Sequence, residues 1–145
     1  MLFDDSGKPL EDIFPVARYG NYESGKEGAY DLSILAVGSD FFQDMQKQVE
    51  SGKYRKYDAC DQDITSCVKL AWQKVWEDDE KGSLSRAYSA DYEQIIPPKY
   101  SQDGKAHCFL YIAVDWYYFM YYTFASGDDD LTSLVKDSFK SAYLV

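Results

Sequence analysis

The run RAYSADYEQII, Arg86 to Ile96, sets two carboxylates, Asp91 and Glu93, two residues apart among aromatic neighbours. Alternate side chains of an extended strand share a face, so Asp91 and Glu93 are expected on one side and Tyr88 and Tyr92 on the other. A lone carboxylate in an aromatic setting loses hydration, which favours its neutral form until a cation arrives. A lipophilic cation restores the ionised form and stacks on tyrosine or tryptophan faces, each contact contributing about 0.5–2 kcal/mol. Neutral compounds gain the stacking alone. The plainer reading of Glu93 is a surface-facing carboxylate, and that of each aromatic residue is core packing.

The other reactive side chains promise less. Cys60, Cys67 and Cys108 are odd in number and lack metal-ligand spacing, so they read as reduced, half-buried thiols of a cytosolic protein. The single histidine, His107, reads as structural, and neither a metal site nor a cofactor is expected. Asp128, Asp129 and Asp130 suit the N-terminus of a helix and lack the spaced ligands and glycine of a calcium loop. The chain has no P-loop, dinucleotide glycine pattern, zinc motif or nucleophile elbow.

The Asp91–Glu93 strand needs elements to position it. Before it, Ile64, Val68, Ala71, Trp72, Val75 and Trp76 recur at the helical period, with Asp63, Thr65 and Ser66 as cap oxygens and Gly82-Ser83 as the stop. After it, 97–106 reads as a loop and His107–Val114 as an apolar strand able to pair back. Upstream, residues 1–15 form a polar arm, with a turn around Leu10–Phe14. Val16–Glu23 and Ala29–Gly38 form a hairpin around Ser24–Gly28, with Tyr30, Leu32, Ile34 and Ala36 on one face. Residues 40–51 are ambiguous: Phe41, Phe42, Met45 and Val49 make a helical stripe, whereas Met45, Lys47 and Val49 also alternate. The local pattern leans to helix. Gly52 bends the chain and Lys53–Ala59 is a short strand. Trp116–Phe124 is β-prone on both faces, and Leu131, Leu134, Val135, Phe139, Ala142 and Tyr143 mark a final helix.

At 145 residues the chain fits one domain, 1–145, with a hydrophobic core of its own. A formal charge of −10 argues against phosphate-backbone binding and so against direct contact with nucleic acid. No apolar run approaches a membrane span, and Met1–Asp5 lacks a basic leader, so neither anchor nor signal peptide is expected and the cytoplasm is the expected location. The aromatic share of 17%, with 14 tyrosines, suits a protein that lines a cavity as well as filling a core.

Five stretches occur in an order and spacing that resemble the GyrI-like, or AraC-type effector-binding, domain. They are YESGKEGAYDL (Tyr22–Leu32), ESGKY (Glu50–Tyr54), AWQKVW (Ala71–Trp76), RAYSADYE (Arg86–Glu93) and FLYIAV (Phe109–Val114). The resemblance covers about residues 16–114. It implies an α+β fold of two β-α-β-β halves forming an antiparallel sheet around a ligand cleft, and it makes the segment Met45–Ala59 one strand bent at Gly52. It also implies a cleft for amphipathic, often cationic molecules, with the buried ligand-recognising glutamate falling on Glu93. Tyr22, Tyr54, Trp76 and Tyr111 are the candidate walls. The family's first strand and helix have no match before Val16. The strand and helix over 116–143 are expected in their place, as a permuted order or by exchange.

The expected function is therefore a stand-alone binding module for amphipathic cations, with no catalytic residue assigned. One alternative is a hydrolase of electrophilic small molecules, as some GyrI-like proteins are, with Glu93 as general base. Another is an acidic inhibitor that binds a protein partner. Phe109–Phe124 holds only Asp115 as an interruption and no turn residue. A strand that long outruns a small sheet, which leads to the expectation of a homodimer exchanging its C-terminal strand and helix.

Overall fold

A computed structural model describes residues 4–7, 11–25 and 28–115. The fold below is that of the compact unit ending at Val114. The strand expected over 116–124, the helix over 131–143 and the exchange they motivate lie outside the described residues.

The architecture is α+β, as expected: one open antiparallel sheet of five strands with two helices. In chain order the elements are β1 (Phe14–Gly20), β2 (Asp31–Val37), α1 (Ser39–Glu50), β3 (Tyr54–Asp61), α2 (Ile64–Lys81), β4 (Ala90–Ile96) and β5 (Ala106–Ala113). The strands lie in the order β2-β1-β4-β5-β3. β3-α2-β4-β5 makes one β-α-β-β unit, and the β1–β2 hairpin joins it where β1 pairs with β4, Ala17 opposite Glu93 and Tyr19 opposite Asp91. Among the described residues no helix is long and apolar enough to cross a membrane.

Helix α2 follows its sequence signals closely. Asp63 accepts a bond from the Ser66 backbone N–H at 2.8 Å, and Gly82, with φ 76°, closes the last turn in the left-handed conformation that glycine adopts without strain. Cys67, Ala71 and Val75, one turn apart, are fully buried against Tyr57 and Ala59 of β3 and Cys108, Leu110 and Ile112 of β5. Removing that apolar area from water, at roughly 25 cal/mol per Å², is what holds the helix to the sheet. The Cys67 thiol donates to Ala59 O, and burial pushes the Cys108 thiol up to about 12, so both are inert. Cys60 is exposed, so the cysteines are not uniformly half-buried.

Residues 39–50 are a helix, and the bent strand implied by the family resemblance over Met45–Ala59 is not formed. The helical stripe wins because Phe41, Phe42 and Met45 are packed on the face of the sheet opposite α2. Met45 is buried, Phe42 meets Phe14 edge-on at 5.7 Å, and Phe41 meets Tyr92 at 5.2 Å. Gly52, with φ 79°, then ends the helix, its N–H bonding Val49 O, before β3 begins.

Two boundaries also shift. β1 starts at Phe14, so the end of the expected polar arm is strand. β4 starts at Ala90 rather than Arg86, because Tyr88 takes a left-handed φ of 54° that no strand residue adopts. Arg86 and Val114 meet in an isolated bridge.

Candidate functional site

Pairing decides which side chains share the α2 face of the sheet. Glu93 lies opposite Leu110 on β5 and opposite Ala17 on β1, and Tyr19 lies opposite both Asp91 and Leu32. Asp91, Glu93, Tyr19, Leu110 and Leu32 therefore point the same way. The two carboxylates do share a face, and both are buried, Asp91 at 0% and Glu93 at 6% exposure.

Their partners differ in kind. Asp91 accepts from Arg86 Nη2 at 2.8 Å, from the Tyr22 hydroxyl at 2.6 Å and from the Ala113 backbone N–H at 2.8 Å. The Arg86 side chain is itself 4% exposed and lies 4.5 Å from the Tyr88 ring centroid. This is a buried, hydrogen-bonded ion pair that fixes the loop before β4 to the ends of β4 and β5. Glu93 accepts through Oε2 from Trp72 Nε1 at 2.7 Å and from the Tyr19 hydroxyl at 3.3 Å, both neutral donors. Burial first, then the nearby Glu93 charge, pushes the Tyr19 hydroxyl well above the usual tyrosine range, so it stays a donor. Two carboxylates against one guanidinium leave one formal negative charge in the cluster.

Beside this cluster lies a cavity of about 610 Å³. Ile64, Val68, Trp72 and Trp76, each one turn after the last, form its helical wall, with Thr65 and Lys69 along the same edge. Tyr19, Tyr22 and Tyr30 close the sheet side, and Arg86 reaches it from the loop before β4. The rings brace one another: Tyr19 meets Trp72 edge-on at 5.4 Å, and Trp72 lies 6.3 Å from Trp76. The exposed Tyr30 and Trp76 stand at the rim. Trp72 and Tyr19 line the cavity and hold the Glu93 carboxylate behind them. The volume falls in the range of small-molecule sites, roughly 300–1,000 Å³.

Of the five expected binding residues, Tyr22 and Trp76 line the cavity, while Glu93 does not line it and bonds to the lining Trp72 and Tyr19. The structure separates the other two. Tyr54 and Tyr111 lie on the opposite face, where Tyr54 donates to Ala90 O at 2.8 Å and Lys56 Nζ sits 5.6 Å from the Tyr111 ring centroid. Alternation alone left their side open, because it was settled by the long-range pairing of Glu93 with Leu110. The cavity residues that were not expected there include Tyr19, Tyr30, Trp72 and Arg86. Trp72 had a signal in the sequence, since it stands four residues before Trp76 on the same helical row.

Comparisons with protein-family models, with curated proteins and with solved structures found no match.

Proposed function

We propose that this chain is a stand-alone binding module for amphipathic, cationic small molecules, in the manner of the GyrI-like domains that five of its stretches resemble. The observation that carries the proposal is the buried Glu93 carboxylate, held among the described residues by the neutral Trp72 and Tyr19 donors, beside an aromatic cavity of about 610 Å³. Arg86 is occupied by Asp91, so the negative charge left over is that of Glu93. A flat cation gains ring stacking in the cavity and the attraction of this charge, whereas a neutral analogue gains the first alone.

Hydrolysis has less support. A general base needs a water within hydrogen-bond reach, and Oε2 of Glu93 already holds two side-chain donors.

Glu93→Gln tests the proposal. One cationic aromatic dye and one neutral analogue of the same shape are titrated into wild type and variant, with the fluorescence of Trp72 and Trp76 as readout. The variant keeps its fold and loses about 1–3 kcal/mol of binding to the cation only, as expected for a charge-assisted contact. Equal losses for both ligands, or none for either, would sink the role given to Glu93.

A further inference from the structure

On the face of the sheet away from the cavity, three side chains from three different elements converge. Cys60 on β3 is the cross-strand partner of His107 on β5, and Asp103 lies in the turn that leads into β5. His107 Nε2 is 2.9 Å from each Asp103 oxygen and 3.9 Å from Cys60 Sγ, and the three donor atoms lie within 4.8 Å of one another. We propose that Cys60, Asp103 and His107 bind a divalent metal of the zinc class.

The donor set is the first argument. One thiolate, one imidazole and one carboxylate suit borderline ions that accept tetrahedral geometry, and they do not suit magnesium or calcium, which take oxygen ligands. Three protein ligands leave the fourth position to water. Spacing is the second. Metal–ligand bonds of roughly 2.0–2.3 Å set the donor atoms of one ion about 3–4 Å apart. Cys60 and Asp103 are exposed, so a rotation of either side chain closes the small remaining difference. Support around the ligands is the third. Oδ1 of Asp103 is anchored by the Ser101 hydroxyl at 2.6 Å and the Lys105 backbone N–H at 3.0 Å, while Oδ2 faces His107. The His107 ring lies parallel to that of Phe109, 10° between planes. Partners of this sort hold ligands in the orientation a metal requires. An ordinary His107–Asp103 ion pair explains two of the three residues and gives Cys60 no part.

The test is a titration of the reduced, metal-free protein with zinc against a competing chelator, in excess magnesium, and with cobalt followed by absorption. The expected result is one tight zinc site unaffected by magnesium and a thiolate-to-cobalt charge-transfer band. Cys60→Ser and His107→Gln should each weaken zinc about tenfold or more. Cys60→Ser should also abolish the band. Cys60 is exposed, so an unchanged melting temperature without metal is expected for Cys60→Ser, and the metal-free melting temperature of His107→Gln, a half-buried position, separates ligand loss from unfolding there. Absence of zinc binding, or a zinc affinity that survives both substitutions, would overturn the proposal. Neither result bears on the cavity.

Discussion

The face of the sheet that carries Glu93 has a covered half and an open half. Ile112 on β5 and Ile34 on β2 both belong to alternating apolar rows pointing to that face, yet Ile112 is 0% exposed and Ile34 67%. The difference is the 18-residue helix α2, which packs on β3 and β5 and stops short of β2. Alternation tells which side chains share a face; it does not tell whether anything covers them. The cavity lies where coverage ends, with Trp72 and Trp76 from the covered half meeting Tyr19, Tyr22 and Tyr30 of the hairpin and its turn. A cavity at such a border takes its aromatic walls from both halves.

The ion pair at Arg86 and Asp91 closes the covered half, and removing one partner there should have the largest effect. Asp91→Ala strands a buried guanidinium and leaves the Ala113 N–H without its acceptor, at a cost of about 3–5 kcal/mol. Urea unfolding of wild type and variant measures it. A loss under about 1 kcal/mol would mean that hydrophobic burial by α2 alone holds the half together. Next comes Ile112→Ala, which opens a cavity between α2 and β5 and should cost about 2–5 kcal/mol in the same assay.

A smaller effect is expected at the edge of the covered half, where the Tyr57 hydroxyl donates to Asp78 Oδ2 at 2.8 Å. Burial pushes this phenol up to about 12, and that of Tyr54 likewise. The folded state thus keeps protons that the unfolded chain gives up from about pH 10. The stabilisation is complete below pH 10 and is lost as pH rises from there toward 12. Urea midpoints should therefore fall above about pH 10. Tyr57→Phe should cost about 0.5–1.5 kcal/mol near neutrality and make the alkaline fall shallower. An unchanged alkaline slope would place the proton uptake elsewhere.

What the sequence made legible was local. Helix α2 could be read from its caps and its stripe, the hairpin from its turn, and the shared face of Asp91 and Glu93 from their spacing. Residues 39–50 are instructive: the local stripe pointed to helix while the resemblance pointed to strand, and burial of Met45 and the Phe41–Tyr92 contact went with the stripe. What stayed hidden depended on distant pairing. Tyr111 faces away from Glu93 because Leu110, not Tyr111, sits on the α2 side of β5, and no short window carries that register. The Arg86–Asp91 pair needed the turn at Tyr88, whose positive φ a tyrosine does not advertise. Cys60, Asp103 and His107 come from three elements and make no spaced motif.

The smallest effect is expected in the open half, and it is the sharpest check on the comparison. Ile34 sits on an alternating apolar row and is 67% exposed, so Ile34→Ala removes little buried surface. The cost should stay within about 0.5 kcal/mol, as for other surface positions, against several for Ile112→Ala. The two substitutions change the same residue type on the same face of one sheet, and their strands differ in position, β2 at the edge and β5 inside, so propensity, which spans about 1 kcal/mol, is smaller than the difference in burial. A cost for Ile34→Ala approaching that of Ile112→Ala would mean that the β2 face is covered in solution. Repeating the measurement at several protein concentrations then names the cover. Stability that rises with concentration, with a dimeric mass by light scattering, would favour the homodimer expected from the sequence. A concentration-independent cost with a monomeric mass would rule the exchange out and assign the cover to the same chain.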